Sequence, residues 1–168
     1  MHKIIVTGPE CSGKTTLSKS LSKYFNSKLV NEFARNYLTN KNNKYNVESL
    51  LEIAKNQYKL ENQKSKTIIC DTDLLTIKIW SEYKFGKCDS WILDKINTQK
   101  KEQRIYLLCK PDLMWEYDPQ RENEYERDKI FNLYKKELIS LEHKFRVIKG
   151  NSRLDLAKKY IASIFKKS

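Results

Sequence analysis

Hydrophobic residues along the chain alternate between short apolar runs and longer stretches with helical periodicity. Short segments rich in apolar residues, many of them β-branched, are typical of strands buried in a parallel sheet. They lie at about residues 3–7, 67–70, 105–109 and 145–148, and the pair Leu29-Val30 is a shorter candidate. Between them apolar side chains recur every three or four residues, which predicts seven helices. Four have both ends predicted, at about 14–26, 47–64, 74–83 and 89–96. A further helix begins at 31, another follows the segment at 114–127 and ends near 142, and the last begins at 152.

This alternation predicts an α/β fold, with a mostly parallel central sheet of about five strands and helices on both faces. The 168 residues suit a single domain spanning residues 1–168. In such sheets ligands bind beyond the carboxyl ends of the strands. Residues that directly follow a predicted strand are therefore the first candidates for a functional site.

The loop after the first strand, Gly8-Pro9-Glu10-Cys11-Ser12-Gly13-Lys14-Thr15, fits the P-loop pattern of Gly, any four residues, Gly, Lys, then Ser or Thr. Its backbone N–H groups and the helix that follows favour phosphate oxygens. Lys14 can reach the β- and γ-phosphates, and the Thr15 hydroxyl can ligate Mg²⁺. The motif predicts a site for ATP and Mg²⁺ built from Gly8, Glu10, Cys11, Ser12, Gly13, Lys14, Thr15 and Thr16. The alternative is a chance match on a glycine-containing turn, which the strand–loop–helix context disfavours.

Two carboxylates follow the strand at 67–70. Asp71 occupies the position at which P-loop proteins carry the carboxylate that holds Mg²⁺, and Asp73 lies two residues further on. They predict a division of labour, with one carboxylate for the metal and one for the hydroxyl of an acceptor. Asp71 is predicted as a catalytic metal ligand and Asp73 as a substrate-binding residue, and which of the two acts on the hydroxyl stays open. The alternative for either is a cap on the helix that starts at Leu74.

A second pair of charged residues follows the short strand at Leu29-Val30. Glu32 and Arg35 lie three residues apart, on one face of a helix that starts at Asn31. Their place beyond a strand end predicts that they face the same crevice as the P-loop. The alternative is an ordinary surface ion pair, which contributes little to stability.

The polar segment at about 114–128 lacks apolar periodicity, as a mobile lid would. It holds Arg121 and Arg127, two of only six arginines in a chain with 33 basic residues. Because the guanidinium fork matches phosphate oxygens better than lysine does, we predict that both are catalytic and close over the transferring phosphoryl group. Alternatively, both are solvated. Trp115 and Tyr117 either stack on a flat ligand or pack against the protein.

Composition changes this picture little. A formal net charge of +12 is typical of nucleic-acid-binding proteins, but the lysines are scattered, as on a solvated surface, so nucleic acid is the less favoured partner. The four cysteines lack metal-binding spacing, and Cys70 and Cys109 end apolar runs, which suits a reducing cytoplasm. No signal peptide or membrane span is apparent. The sequence leaves a monomer and a homo-oligomer both open.

The chain resembles the ribosylnicotinamide kinase domain of the bifunctional bacterial regulator of NAD biosynthesis, and related small P-loop kinases and ATPases. The resemblance runs from Lys3 to about Phe165. It rests on the Gly-x-Glu-x-Ser-Gly-Lys form of the P-loop, Glu32-Phe33-Ala34-Arg35, Asp71-Thr72-Asp73, and Trp115-Glu116-Tyr117-Asp118-Pro119-Gln120-Arg121 with Arg127. Pro119 stands where the family often has Gly, and nothing in the chain matches the regulator's adenylyltransferase or DNA-binding parts.

The resemblance implies ATP-dependent phosphorylation of nicotinamide riboside to the mononucleotide. It implies substrate-binding roles for Glu32, Arg35, Asp73, Trp115 and Asp118. Two alternatives stay open on the residues alone: an NTPase that acts on or with nucleic acid, and a nucleotide-dependent binding switch.

Overall fold

The computed structural model describes residues 2–165, and a parallel five-stranded sheet lies at its centre. The strands are β1 (His2–Thr7), β2 (Lys28–Val30), β3 (Thr67–Asp71), β4 (Arg104–Cys109) and β5 (Lys144–Ile148). Their order is β2-β3-β1-β4-β5, and every neighbouring pair is parallel. The predicted α/β architecture is confirmed. Of the domain predicted over 1–168, Met1 and residues 166–168 lie outside the described residues.

Helices cover both faces of the sheet. They are α1 (Lys14–Phe25), α2 (Phe33–Asn40), α3 (Val47–Glu61), α4 (Leu74–Phe85), α5 (Ser90–Gln99), α6 (Arg127–Ser140) and α7 (Arg153–Phe165), with a 3₁₀ turn at Glu124–Glu126. Buried residues of α1 and α7 pack on one face, and those of α4 and α6 pack on the other. Side chains alternate between the two faces of the sheet along β1. Ile4 and Val6 pack with α1 and α7, whereas Ile5 packs with α4 and α6. Between residues 2 and 165, no helix is both long and apolar enough to span a bilayer.

The main difference from the predicted elements lies at Glu32. This residue has an extended backbone (φ −61°, ψ 113°), and α2 begins at Phe33. The Phe33 N–H donates to Gln57 Oε1 at 2.9 Å, which fixes the start of α2 against α3. Glu32 and Arg35 therefore do not share a helical face.

The loop after β1 passes very close to the end of β4. Gly8 has a φ of +139°, and a Cβ at this position would lie 2.6 Å from the Cys109 carbonyl oxygen. Both the backbone angle and the lack of space require glycine here. The first residue of the P-loop is thus fixed by the sheet itself.

Candidate active site

A crevice of about 360 Å³ lies beyond the carboxyl ends of the strands. β1 lies between β3 and β4, so the strands that follow it in the chain are placed first on one side of β1 and then on the other. Open α/β sheets bind ligands at such a switch point. The loop Gly8–Thr16 lines the crevice together with Glu32, Arg35 and Arg121. An apolar and aromatic wall faces the loop and consists of Ala34, Leu38, Ile79, Trp80, Tyr83, Ile130 and Tyr134.

The P-loop presents an uncapped helix N-terminus to this crevice. Gly13 is the N-cap of α1 and has no side chain with which to cap it, and the first turn of the helix contains no acidic residue. Its N–H groups and the helix dipole suit an anion such as phosphate. Lys14 Nζ and Ser12 Oγ both donate to the Pro9 carbonyl, at 2.6 and 2.8 Å, so the lysine already lies over the loop.

Thr15 and Asp71, the two predicted metal ligands, lie side by side. Thr15 Oγ1 donates to Asp71 Oδ2 at 2.6 Å, and Asp71 is only 2% exposed. Among the described residues, Asp71 Oδ1 has no hydrogen-bond partner. Burial raises the pKa of Asp71, against the opposing effects of the Thr15 hydrogen bond and the Lys14 charge. A buried, half-paired carboxylate beside a hydroxyl fits Mg²⁺, which takes one or two protein oxygens and fills its other positions with water and phosphate.

Asp73 does not reach the crevice. It is fully buried, and its Oδ1 accepts from the Leu75 N–H at 3.1 Å as the N-cap of α4. Its Oδ2 accepts from Arg104 Nη1 at 3.0 Å and from the Tyr106 hydroxyl at 2.7 Å. The predicted substrate role is therefore replaced by helix capping, the alternative that the sequence left open, and by a buried ion pair. Thr72, between the two aspartates, has a left-handed backbone (φ +69°), and the side chains of Asp71 and Asp73 reach different partners.

Arg104 is the centre of the ion cluster that holds Asp73. Its guanidinium also donates to Glu61 at 2.6 Å and to Glu102 at 3.0 Å, and the side chains of Arg104, Asp73 and Glu61 are completely buried. Lys3 extends the cluster through Glu102 at 2.9 Å. This cluster lies within the scaffold, so we expect it to act on stability.

Glu32 lies at the crevice with its carboxylate unpaired within residues 2–165. Burial raises its pKa, the Lys14 charge opposes that shift, and the Asp71 carboxylate adds to it. Glu32 is thus a partly desolvated carboxylate close to both the P-loop lysine and the predicted metal ligand. Such a group is suited to accept a proton or a hydroxyl hydrogen bond.

Arg35 pairs with Asp118 of the lid. Arg35 Nη1 lies 2.7 Å from Asp118 Oδ2, and Asp118 Oδ1 accepts from the Gln120 N–H at 2.9 Å. Partial burial raises the pKa of Asp118, but the hydrogen bonds from Gln120 and Arg35 outweigh it, so the pKa is lowered. Two predicted substrate residues are thereby brought together as a link between α2 and the lid.

The lid segment 114–128 is tied to the P-loop. The Glu10 carboxylate accepts from the Glu122 and Asn123 N–H groups, at 3.0 and 2.9 Å. The Cys11 thiol donates to the Met114 carbonyl at 3.2 Å. These contacts place the lid directly against the predicted phosphate site.

The two lid arginines occupy different places. Arg121 lines the crevice, whereas Arg127 Nη1 donates to the carbonyls of Cys11 and Leu113, at 3.3 and 3.1 Å. Their guanidinium carbons lie 5.9 and 5.5 Å from the centre of the Trp115 ring. Trp115 therefore packs against arginine, the packing alternative of the sequence, and among the described residues it is not part of the crevice lining.

Sequence reasoning missed Arg153. Its guanidinium donates to the Ser12 carbonyl at 2.9 Å and to the Lys110 carbonyl at 3.1 Å, and it forms an ion pair with Asp112. Arg153 thus braces the P-loop from α7. The scarcity of arginine that singled out the lid applies equally to this residue. The aromatic wall was missed because its spacing on α4 and α6 is that of an ordinary buried face.

Comparison with protein families gives one match. A family model described as an AAA domain matches residues 3–153. A search of curated proteins found no match.

Comparison with solved structures gives several matches to the fold. A structure described as NadR protein in complex with NR has a TM-score of 0.73 at 16% identity, over 96% of this chain and 51% of that chain, so the present chain spans about half its length. Deoxyadenosine kinase from M. mycoides gives 0.63 at 16% identity over 98% of each chain. Shikimate kinase from Acinetobacter baumannii, in complex with shikimate, gives 0.59 at 11% identity over 100% of this chain and 95% of that one. The fold is shared with small-molecule kinases.

Proposed function

Because the chain belongs to the AAA-domain family and shares its fold with small P-loop kinases, we propose that it is an ATP- and Mg²⁺-dependent small-molecule kinase. The observation that carries this proposal is the Thr15–Asp71 pair, whose carboxylate keeps one oxygen unpaired among the described residues. This pair lies beside an uncapped helix N-terminus and a crevice large enough for a second ligand.

On the nucleotide side, the chain supplies positive charge and N–H donors to the phosphates of ATP. Lys14 and the start of α1 hold the β- and γ-phosphates, and Arg121 approaches them from the lid. Thr15 and Asp71 would hold Mg²⁺, which when bound neutralises charge on the phosphates. Phosphoryl transfer needs little beyond positioning and charge neutralisation, and these residues supply both.

On the acceptor side, Glu32 receives the proton of the attacking hydroxyl. The hydroxyl oxygen bonds to the γ-phosphorus, the bond from that phosphorus to ADP breaks, and the proton passes to the Glu32 carboxylate. The unpaired carboxylate and its raised pKa support this role, as does its electrostatic interaction with Lys14 and Asp71. Arg35 and Asp118 position the acceptor from the edge of the lid.

Nicotinamide riboside is the acceptor that we propose. Similarity to a structure described as a complex with NR supports it, as does the resemblance in the four motifs. In the crevice, Trp80, Tyr83 and Tyr134 offer aromatic side chains to a flat pyridinium ring, the role first expected of Trp115. Aromatic faces stabilise cations by roughly 0.5–2 kcal/mol.

The test is ADP release with nicotinamide riboside, compared with adenosine, thymidine, shikimate and no acceptor, with the product identified by mass. We expect riboside-dependent ADP release and the mononucleotide as product. Rates equal to the acceptor-free background would refute the acceptor. ATP turnover that responds only to DNA or RNA, with salt-sensitive affinity, would instead establish a nucleic-acid-dependent NTPase.

A further inference from the structure

Glu122, in the middle of the lid, is held by groups from three other parts of the chain. Its carboxylate accepts from the Tyr45 hydroxyl and from Lys84 Nζ, each at 2.8 Å. Its N–H donates to the two oxygens of Glu10, at 3.0 and 3.2 Å. Tyr45 precedes α3, Lys84 lies in the last turn of α4, and Glu10 belongs to the P-loop. One lid residue thus connects Tyr45 and the end of α4 with the P-loop.

Tyr45, one of the two side chains that donate to Glu122, is itself fixed by the aromatic residues around it. The Tyr45 hydroxyl accepts from Trp80 Nε1 at 3.1 Å, and its ring packs on Trp80 and Phe85 with centroids 4.8 and 5.9 Å away. Hydrogen bonding to Glu122 raises the pKa of Lys84, and burial together with the same carboxylate raises that of Tyr45. Both groups keep their protons at neutral pH and remain donors to Glu122.

The residue next to Glu122 is Arg121, the lid arginine that lines the crevice. Consecutive Cα atoms are about 3.8 Å apart, so the position of Glu122 limits where Arg121 can lie. We propose that Glu122 is the positioning residue of the lid, which sets the place of Arg121 in the crevice lining. This inference rests on the proposed kinase function for its effect on rate, but not for its effect on lid structure.

A role in positioning differs measurably from a role in stability. The Lys84–Glu122 ion pair is exposed, with 43% and 36% of the two side chains accessible, and exposed pairs contribute little to the free energy of unfolding. Two conformations of a protein commonly differ little in free energy, so loss of the two bonds to the Glu122 carboxylate can shift a lid toward an open state, although the backbone N–H keeps its contact with Glu10. Loss of Glu122 should therefore open the lid without unfolding the protein.

The experiment compares Glu122→Ala with Glu124→Ala, since Glu124 is an exposed lid residue whose side chain makes no hydrogen bond within residues 2–165. In Glu122→Ala we expect faster amide hydrogen exchange across 113–127, kcat lower by about 10- to 10²-fold, an ATP KM near wild type and an unchanged Tm. Glu124→Ala should match wild type in all four. Glu122→Gln, which still accepts from Tyr45, should recover part of both the exchange protection and kcat. Combining Glu122→Ala with Lys84→Met should add little to either single change.

The outcomes separate the lid from the substrate. If no acceptor supports turnover but exchange in 113–127 rises only in Glu122→Ala, the lid inference holds and the proposed function fails. If exchange and kcat in Glu122→Ala equal those of Glu124→Ala, Glu122 does not position the lid. A lower Tm with activity lost only in proportion to unfolding, or no recovery in Glu122→Gln, also overturns the inference.

Discussion

Asp71 and Asp73 stand two residues apart at the end of one strand, yet they belong to different regions of the molecule. Asp71 accepts one hydrogen bond, from the Thr15 hydroxyl, and among the described residues its other oxygen is unpaired. Asp73 is bound by a helix N–H, a guanidinium and a phenol. Beside the crevice, behind Thr15, Asp71 keeps one oxygen free of any described partner and able to accept a further bond, whereas in the scaffold both oxygens of Asp73 already accept hydrogen bonds.

This difference shows how the fold separates chemistry from stability. Buried polar groups are normally satisfied, and an exception in a native structure points to a ligand or a reaction. Burial raises the pKa of Asp71, so folding disfavours its charged form. At Asp73 both carboxylate oxygens accept hydrogen bonds. The following substitutions test whether the two regions are as distinct as their contacts indicate.

The largest effect is expected from Asp71→Asn and Lys14→Ala. Each removes charge from the P-loop end of the crevice, so kcat should fall by about 10³-fold. The Tm of Asp71→Asn, measured without nucleotide, should be unchanged or higher because the substitution removes a desolvated charge. A folded Lys14→Ala variant with wild-type activity would rule out the P-loop assignment.

Arg121→Ala should come next and should distinguish the two lid arginines. Arg121 lines the crevice, so its loss should lower kcat by up to about 10³-fold with a smaller effect on ATP affinity. Arg127 bonds to the Cys11 and Leu113 carbonyls, so Arg127→Ala should lower kcat less, through loss of loop and lid position. Steady-state kinetics with titrated ATP measures both. Equal losses would place Arg127 at the phosphates as well.

Asp73→Asn should lower stability and spare chemistry. Removing one partner of a buried ion pair costs about 3 kcal/mol, which urea denaturation measures. The matched control is Asp89→Asn, since Asp89 is the N-cap of α5, accepts from the Trp91 N–H and forms no ion pair within residues 2–165. Asn caps as well as Asp, so that variant should change little. Reduced kcat in fully folded Asp73→Asn would return Asp73 to the active site.

The smallest effect is expected in the pH profile. Burial raises the pKa of Glu32, so kcat should fall on the acid side at a pH above the usual range of a glutamate. A group whose pKa is higher in the folded than in the unfolded protein stabilises the fold at pH values below its unfolded pKa. That stabilisation is lost as the pH rises through the folded-state pKa. Glu32 therefore does not drive acid unfolding, and activity should fall while the fold persists. Glu32→Gln should abolish this fall of kcat at low pH. If the fall persists in the variant, a group other than Glu32 causes it.

The sequence predicts the sheet and the P-loop well because their signals are local. Apolar runs such as Ile4-Ile5-Val6 identify buried strands, and the glycine spacing identifies the loop. The roles of Asp71 and Asp73 could not be separated in the same way. Their difference depends on the backbone turn at Thr72 and on Arg104, which is distant in sequence.

The lid shows the same limit. Its two arginines were singled out by composition, but the different partners of Arg121 and Arg127 follow from how the segment folds over the P-loop. Glu122 carries no local signal, because its donors come from the P-loop, Tyr45 and Lys84. Contacts between distant segments thus decide which polar residues in a predicted lid matter.

The guanidinium groups of Arg121 and Arg127 both lie near the Trp115 ring, so the intrinsic fluorescence of Trp115 can report on the position of the lid. Indole emission responds to nearby charge, so it should change when Arg121 turns from the ring toward bound phosphate. Rapid mixing with ATP would then follow lid movement in unlabelled protein, in real time. Trp80 and Trp91 contribute a background that the Trp115→Phe variant would define.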